Sequence, residues 1–309
     1  MQRTIKKIAA LMHNQYFWIY GIGPFLVFYG VLLYLLGALR IEKILIIAVI
    51  LAFIFIRKTR EDALPFLFPL AMVGLFYDFM RFLTPFFHSF QSVHVVEPFV
   101  LEKELFGIRY QGGEILIPSQ FFLRHNHIAI DLLAAFGYGF FLFEAVGFGF
   151  YLAVKQRKVL QRFSWALFCL FFVGMITYYV YPAAPPWYVE QYGLGPALLD
   201  VPGHPGRLAS VDQYLGIRYF TALYSANTNV FAAIPSLHAA FPLLVWLYSR
   251  HIGVGRFQYV FMTFWLLVAF SAVYLNHHYV IDVILGCVYA FLMYLLTEKI
   301  YQKLVETND

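Results

Sequence analysis

The amino-acid sequence predicts an all-α protein, a polytopic membrane bundle of about six to eight transmembrane helices. Of its 309 residues, 61% are hydrophobic and only 13% are charged, whereas soluble domains carry about 25% charged residues. Aromatic residues, which are counted among the hydrophobic ones, make up 20% of the chain. Apolar runs recur at lengths close to the roughly 20 residues that cross a bilayer. Helices that face lipid rather than water account for these observations.

The basic balance of the chain does not indicate a nucleic-acid partner. The formal net charge is +5, but in so apolar a chain Lys and Arg more often mark cytoplasmic loops than a nucleic-acid groove.

Cys169 and Cys287 both lie in apolar runs, so no disulfide framework is predicted. The basic N-terminal region leads into an apolar run that lacks a small-residue cleavage pattern, which predicts a retained first span rather than a signal peptide.

The candidate spans follow one another along the whole chain. They lie at about 16–39, 41–56, 63–80, 128–154, 162–181, 232–249, 257–276 and 279–297. The second and third are short, and the third contains Pro65 and Pro69, so these two form either separate spans or a re-entrant hairpin. The connections 81–127 and 182–231 are rich in aromatic residues, Pro and Gly, which predicts interfacial helices.

This pattern predicts one integral membrane domain over residues 1–309. We expect N-terminal spans over 1–80, an outer interfacial segment over 81–127 and a catalytic helical core over 128–300. Lys and Arg crowd alternate short loops, such as 155–162, which the positive-inside rule places in the cytoplasm. Both termini are then cytoplasmic, and the polar and proline-rich clusters share the outer face, which is periplasmic or luminal. The compact chain favours a bacterial inner membrane.

The stretch "AAIPSLHAAFP" (232–242) opens one apolar run on this outer face. Ser236 after Pro235 predicts a helix start with Ser236 as the N-cap. The free N–H groups and partial positive charge of a helix N-terminus suit a phosphate. His238 would lie in the first turn, within reach of such a ligand, although a plain capped helix stays open as an alternative.

The stretch "SAVYLNHHYVIDVILG" (271–286) opens the next run. His278 and Asp282 are four residues apart, a spacing that places two side chains on one face of a helix. The carboxylate could then accept the proton of one imidazole nitrogen and make the other nitrogen more nucleophilic. A charge inside an apolar helix indicates function, although a structural hydrogen bond at a helix end remains an alternative. His277 points elsewhere and is interpreted as a packing histidine.

The order P-S-x-H followed by S-x6-H-x3-D resembles the type 2 phosphatidic acid phosphatase superfamily, over roughly residues 160–300. With "YPAAPPW" at 181–187, it is most similar to the branch that contains inositol phosphorylceramide synthase. The resemblance implies a six-helix core and a reaction that needs neither metal nor cofactor. It implies that His278 attacks phosphorus to give a phosphohistidine, that Asp282 supports it and that His238 protonates the leaving oxygen. It also implies that Ser236 and Ser271 hold the phosphate.

Basic residues of the general phosphatase pattern are missing from this chain. Ala272 follows Ser271 where that pattern has an arginine, and Gly174 and Tyr181 stand at its first-motif Lys and Arg positions. A phosphoryl transition state still needs electrostatic stabilisation. Candidate side chains on the outer face are Arg81 with its neighbour Asp78, Arg207 and Arg218.

The leading hypothesis is a lipid phosphotransferase that moves inositol phosphate from phosphatidylinositol onto an acceptor such as ceramide. Its expected partners are the phospholipid donor, the lipid acceptor and the bilayer. In one alternative, a lipid phosphate phosphatase, water accepts the phosphoryl group. A second is a zinc enzyme with His238, His278 and Asp282 as ligands. A third is a transporter that uses the intramembrane acids Asp131 and Glu144, although the chain lacks the repeated halves of many transporters.

Overall fold

The structure is a computed structural model that describes residues 15–35, 39, 41–56, 64, 68–69, 72–73, 93–225 and 229–306. The predicted site residues Asp78 and Arg81, and most of the predicted span 63–80, lie outside the described residues. The chain divides into two compact units. One comprises residues 1–78, 151–168 and 295–309, and the other comprises 79–150 and 169–294.

The first unit contains the N-terminal helices. A π-helical turn, Phe17–Ile22, leads into helix α1 (Gly23–Leu35), and α2 follows (Ile41–Phe55). The buried ring of Trp18 packs edge-on against Phe68, with 5.1 Å between ring centroids. In the same unit, Arg162 donates to Glu298 at 2.9 Å, an ion pair with little exposed surface.

The second unit begins with short elements in the segment that the sequence predicts to be interfacial. Helix α3 (Val96–Phe106) precedes a hairpin of β1 (Ile108–Arg109) and β2 (Ile115–Leu116), and α4 follows (Pro118–Arg124). The strands are antiparallel, with Ile108 opposite Leu116. Sequence analysis did not predict this hairpin, because strands of two residues are too short to show an alternating pattern.

Eight further helices follow along the chain, with residues in one or the other unit. They are α5 (Ile128–Lys155), α6 (Arg157–Val180), α7 (Pro186–Tyr192), α8 (Leu208–Leu215), α9 (Tyr219–Ser225), α10 (Leu237–His251), α11 (Phe257–Tyr274) and α12 (Val280–Glu306). The short helices α7 to α9 fall in the second connection, 182–231, for which the composition predicts ordered helices.

Among the described residues, five helices are long and apolar enough to cross a membrane. They span Phe17–Leu35, Ile128–Lys155, Arg157–Val180, Phe257–Tyr274 and Val280–Lys303. These match five of the predicted spans and confirm an all-α membrane bundle. The apolar part of α2, Ile44–Phe55, is shorter. Helix α10 begins at Leu237, five residues after the expected start of its span, because residues 232–236 pair with other segments instead.

Two apolar clusters surround the end of the second unit at which α10 and α12 begin, here called the site end. Ala134 and Tyr138 of α5, Leu208 of α8 and Ala272 of α11 share one buried cluster with Leu275. The other cluster contains Trp187 and Tyr188 of α7 with Phe231, all from the connection 182–231, and Val95 from the connection 81–127. Since these residues come from both long connections and the helix ends, the connections are packed onto the site end rather than free of it.

Candidate active site

The chain before α10 is held in place by neighbouring backbone. Ala183 makes parallel bridges to both His94 and Ala232, and its N–H donates to the carbonyl of Phe231 at 2.9 Å. The hydroxyl of Tyr178 donates to the carbonyl of Pro235 at 2.8 Å. The "YPAAPPW" stretch therefore supports the backbone that enters α10.

Helix α10 then begins as the sequence predicts. Ser236 is the N-cap, and its hydroxyl oxygen accepts a hydrogen bond from the N–H of Ala239 at 3.5 Å. His238 consequently lies in the first turn. The cap is confirmed, and it places the N-terminal N–H groups of a helix of 15 residues beside this histidine.

The loop between α11 and α12 places the second pair of histidines. The N–H groups of His277 and His278 both donate to the carbonyl of Ala272, at 3.1 and 3.0 Å. Asn276 turns the chain here with a φ of 67°, a left-handed conformation that Asn tolerates better than most residues. The chain can therefore leave α11 and enter α12 within five residues, 275–279.

His278 meets Asp282 in the structure, although not in the predicted way. The sequence places both on one helix face, but α12 begins at Val280, so His278 precedes the helix. Its Nδ1 lies 3.4 Å from Oδ2 of Asp282 and 2.9 Å from the carbonyl oxygen of Ala233. Both oxygens are acceptors, so Nδ1 carries the proton and Nε2 has the lone pair.

Asp282 also has the structural role that the sequence left open. Its Oδ2 accepts from the N–H of Tyr279 at 2.9 Å, and its carbonyl accepts from the N–H of Ser236 at 2.9 Å. Asp282 is fully buried. It therefore links the loop histidine to the start of α10 as well as orienting the imidazole.

The rings of His238 and His278 face each other with their centroids 5.6 Å apart. His278 is 4% exposed, whereas His238 keeps part of its surface accessible. The ring of Tyr138 stacks on His238 at 4.1 Å, and its hydroxyl lies 3.1 Å from Nδ1 of His238. Two motifs 40 residues apart in the chain thus form one site, with His238 on its accessible side.

His277 packs beside this pair, as predicted. Its Nε2 donates to the carbonyl of Pro205 at 3.0 Å, and its ring stacks between Tyr138 and Tyr224, at 5.1 and 4.6 Å. Burial, together with the neighbouring His278, lowers the pKa of His277 to about 3. His277 is therefore neutral at physiological pH.

The predicted phosphate-binding residues are spread more widely. Ser236 and Ser271 are fully buried, and the hydroxyl of Ser271 donates to the carbonyl of Leu267 at 2.6 Å. Arg207 binds Asp131 through Nε at 2.6 Å and Nη2 at 2.8 Å. Arg218 is exposed, just before α9. Only Ser236 lies within two residues of a histidine of the pair.

Three residues that the sequence did not single out shape the site end. Tyr138 contacts His238, Glu102 accepts from the N–H groups of Val280 and Ile281 at 2.9 and 3.2 Å, and Gly286 touches the backbone of Ser236. A Cβ at Gly286 would overlap the carbonyl oxygen of Ser236. A small residue inside a span is a signal of close helix packing. Tyr138 in a chain so rich in aromatics, and Glu102 in the charged stretch "LEKELF", give no comparable signal.

Glu102 is 1% exposed and lies at the start of α12. Burial raises the pKa of its carboxyl group from 4.5 to about 7, against the opposing effect of the two N–H donors. Asp282, in the first turn of α12, adds to the increase. The N-terminus of α12 is therefore capped by a side chain that comes from α3.

The zinc hypothesis requires three ligand side chains close together. Within the described part of the chain, no three His, Cys, Asp or Glu side chains are placed to share a metal ion. The proposed ligands His238, His278 and Asp282 instead engage hydrogen-bond partners: Tyr138 for His238, and Ala233 and Asp282 for His278.

A groove of about 460 Å³ lies beside the start of α12. Apolar side chains make up much of its lining, among them Leu101, Ile234, Ile281 and Leu285. Ile234 and Ile281 are the chain neighbours of Ala233 and Asp282. The groove therefore borders the backbone that holds His278.

A sequence-family model of the PAP2 superfamily matches residues 114–296, more than half of the chain. The chain belongs to this superfamily. The match includes both histidine motifs and all the helices from α4 to α11.

The chain is also similar to individual proteins of known name. The chain is 35% identical over 264 residues to phosphoinositol dihydroceramide synthase of Bacteroides thetaiotaomicron, a match that covers 84% of this chain and 85% of that protein. It is 34% identical over 135 residues to the inositol phosphorylceramide synthase catalytic subunit AUR1 of Saccharomyces cerevisiae. It is 32% identical over 182 residues to inositol phosphorylceramide synthase of Candida albicans.

The fungal matches cover only part of each chain. They extend over 44% and 56% of this chain, and over 33% and 37% of the Saccharomyces and Candida proteins. No solved structure gives a significant match. The comparisons confirm the family resemblance, and they confirm that this PAP2 superfamily member is a membrane-embedded lipid phosphotransferase.

Proposed function

We propose that this phosphotransferase moves inositol phosphate from phosphatidylinositol onto a ceramide-type acceptor, with His278 as the nucleophile. The observation that carries the proposal is the facing pair of His238 and His278. His278 has its Nδ1 engaged by Ala233 and Asp282, which leaves Nε2 for attack. The activities for which the bacterial and fungal relatives are named support the choice of donor headgroup and acceptor class.

The reaction proceeds in two steps, each a displacement at phosphorus. Nε2 of His278 attacks phosphorus, the bond from phosphorus to the diacylglycerol oxygen breaks, and His238 gives its proton to that oxygen. The acceptor hydroxyl then attacks phosphorus, the bond to Nε2 breaks, and His238 takes up the hydroxyl proton. Inositol phosphate is thereby transferred, and both histidines return to their starting states.

The surroundings favour the charge changes of these steps. The N-terminus of α10 presents N–H groups and partial positive charge next to His238, which suits the phosphoryl oxygens. We assign Ser236, Ser271, Arg207 and Arg218 to phosphate binding as the sequence predicts, with Ser236 nearest to the pair. The apolar groove beside Ile234 and Ile281 suits a lipid chain.

The test uses purified protein in detergent with EDTA, phosphatidylinositol labelled with ³²P in its headgroup, and ceramide. We expect label on ceramide and, without ceramide, acid-labile label on the protein. His278→Asn should lose both signals. Label released as water-soluble phosphate, with none on ceramide, would make the protein a hydrolase, and loss of activity in EDTA would restore the zinc hypothesis.

We also propose that both termini are cytoplasmic and that the site end faces the periplasm or a lumen. Arg218 and Arg250 are both exposed, and Arg250 lies at the far end of α10 from Ser236. In a background of Cys169→Ser and Cys287→Ser, a membrane-impermeant maleimide applied to intact cells should label Arg218→Cys and leave Arg250→Cys unlabelled. The reverse pattern would invert the orientation.

A further inference from the structure

The first turn of α12 does not complete its own cap. Tyr279 is the N-cap, because it precedes the helix and its carbonyl accepts from the N–H of Val283 at 3.3 Å. The usual N-caps are short polar side chains that accept from the N–H groups of the first turn, and a tyrosine is not one of them. Asp282, the third helical residue, accepts from the N–H of Tyr279 at 2.9 Å. This is one half of a capping box, and the reciprocal half is missing.

Glu102 of α3 supplies the missing acceptors from outside the helix. Its two carboxyl oxygens accept from the N–H groups of Val280 and Ile281, the first two helical residues, at 2.9 and 3.2 Å. The family match begins at residue 114, after the end of α3. The cap of the helix that carries Asp282 is therefore completed by a residue outside the region that identifies the superfamily.

The position of Glu102 is fixed by its own helix. Phe99 and Phe106 lie three residues before it and four residues after it, on the same face of α3. Both rings pack against the buried cluster that contains Tyr279 and Ile281. Glu102 itself is 1% exposed. Apolar contacts on both sides thus hold its carboxyl group at the start of α12.

Asp282 contacts the helix start and His278 through a single oxygen. Oδ2 accepts from the N–H of Tyr279 and lies 3.4 Å from Nδ1 of His278. Oδ1 is buried and has no partner among the described residues. Free N–H groups at Val280 and Ile281 would attract this carboxylate, because the first N–H groups of a helix lack partners and carry partial positive charge. Since Glu102 occupies both N–H groups, Asp282 stays beside His278.

We propose that Glu102 is a positioning residue that acts through Asp282. By completing the cap of α12, Glu102 keeps the carboxylate of Asp282 beside Nδ1 of His278, and that carboxylate makes Nε2 of His278 more nucleophilic. No bond forms or breaks at Glu102 during the reaction. This inference rests on the proposed function, in which His278 attacks phosphorus.

The first experiment measures the single-turnover step in which labelled phosphatidylinositol places its inositol phosphate on the protein. The assay is run at pH 8, above the pKa of about 7 of Glu102. Glu102→Gln keeps one acceptor oxygen and turns an NH₂ group toward the second N–H. We expect the maximal rate to fall by roughly ten- to a hundredfold, with little change in the half-saturating lipid concentration. Glu104→Gln, on the exposed part of α3, should stay near wild type.

A double-mutant cycle separates positioning from a general loss of structure. In the Asp282→Asn background the carboxylate is already gone, so adding Glu102→Gln should lower the rate by less than about twofold. A structural defect would instead reduce the rate by the same factor in both backgrounds. Glu102→Asp, which keeps the charge on a shorter side chain, replaces Glu102→Gln in the cycle if the latter does not fold. Equal factors in the two backgrounds, or a wild-type rate in Glu102→Gln, would overturn the proposal.

The second experiment observes the His278 ring without turnover. The Nδ1–H signal of His278 is recorded in ¹⁵N spectra of histidine-labelled protein in detergent, and His278→Asn assigns it by its loss. Glu102→Gln should shift this signal in the same direction as Asp282→Asn, whereas Glu104→Gln should leave it in place. An unshifted signal in Glu102→Gln would overturn the proposal. Failure of the proposed function would appear separately, as absence of label on ceramide with the wild-type protein.

Discussion

Helix α10 has a histidine beside a tyrosine hydroxyl at each of its two ends, and the two pairs differ in ring geometry as well as in surroundings. The rings of Tyr138 and His238 are stacked at 12°, whereas those of His251 and Tyr294 meet edge-on at 78°. His238 with Tyr138 at the site end and His251 with Tyr294 at the far end have the same 3.1 Å separation. His238 faces a second histidine within a buried cluster, whereas His251 is exposed. The hydrogen bond alone therefore does not make a site, and the converging backbone around His278 does.

The site end also differs in how its backbone is held. The N–H of Ser236 donates to the carbonyl of Asp282, Gly286 allows α12 to touch the chain at Ser236, and Glu102 caps α12. Each of these contacts joins segments that are distant in the sequence. Four substitutions, each with a control elsewhere in the chain, test how far the site end differs from the rest of the protein.

The largest expected effect is on the rate of transfer, when one of the two histidines of α10, His238, is replaced. His238→Gln should lower the rate of transfer to ceramide by roughly 10²- to 10⁴-fold, the usual contribution of a general acid and base. His251→Gln should stay within about twofold of wild type, since its ring is exposed. Steady-state rates on folded protein check both, and equal losses in the two variants would remove the distinction between the ends.

The next largest effect is the loss of stability expected when the buried ion pair between Arg207 and Asp131 is broken. Asp131→Asn leaves the guanidinium of Arg207, whose side chain is 11% exposed, without its carboxylate. Breaking such a pair costs about 3–5 kcal/mol, and thermal unfolding in detergent should show this loss. Glu298→Gln breaks the pair with Arg162, a side chain that is 22% exposed, and should cost less. If Asp131→Asn were as stable as wild type, the pair would not be a structural link.

Gly286→Ala should disturb the site end without removing any functional group. The added methyl group would overlap the carbonyl oxygen of Ser236, and overpacking of this kind costs about 1–3 kcal/mol. Transfer activity should fall as well, because Ser236 precedes His238 by two residues. Gly147→Ala is the control, since nothing lies within 4 Å of the added atom. Equal unfolding midpoints for the two variants would show that the close approach is unimportant.

The smallest effect concerns the pH dependence set by Glu102. Its pKa rises from 4.5 to about 7 in the folded protein, so between these values the folded protein holds a proton that the unfolded chain has lost. The stability linked to this proton is complete below about pH 4.5 and is lost as the pH rises to about 7.

Unfolding of wild type and Glu102→Gln should be compared from pH 5 to 6.5, between the two pKa values. The stability advantage of wild type over the variant should shrink across this window by an amount on the order of 1–2 kcal/mol. Glu104→Gln, on the exposed part of the same helix, should show no such trend. A constant difference between wild type and Glu102→Gln would contradict the raised pKa.

Local patterns in the sequence correctly predicted the fold class and identified the motif residues. Five predicted spans match helices of spanning length, because a run of about 20 apolar residues has few other stable structures. The cap at Ser236 follows from residue type and position alone. Two other predictions were wrong. The span bound at residue 232 came five residues too early, and His278 was placed on the helix face of Asp282 although it precedes α12, since backbone partners from distant segments took precedence over helix continuation.

The sequence by itself determined a helical membrane protein, the superfamily and the histidines that define its motifs. Only the tertiary structure decided what each histidine meets: Ala233 lies 45 residues from His278, Tyr138 lies 100 residues from His238, and Glu102 lies 178 residues from Val280. Spacing along one segment fixes which of its side chains share a face. Contacts between segments depend on how helices approach one another, and that follows from packing over the whole unit.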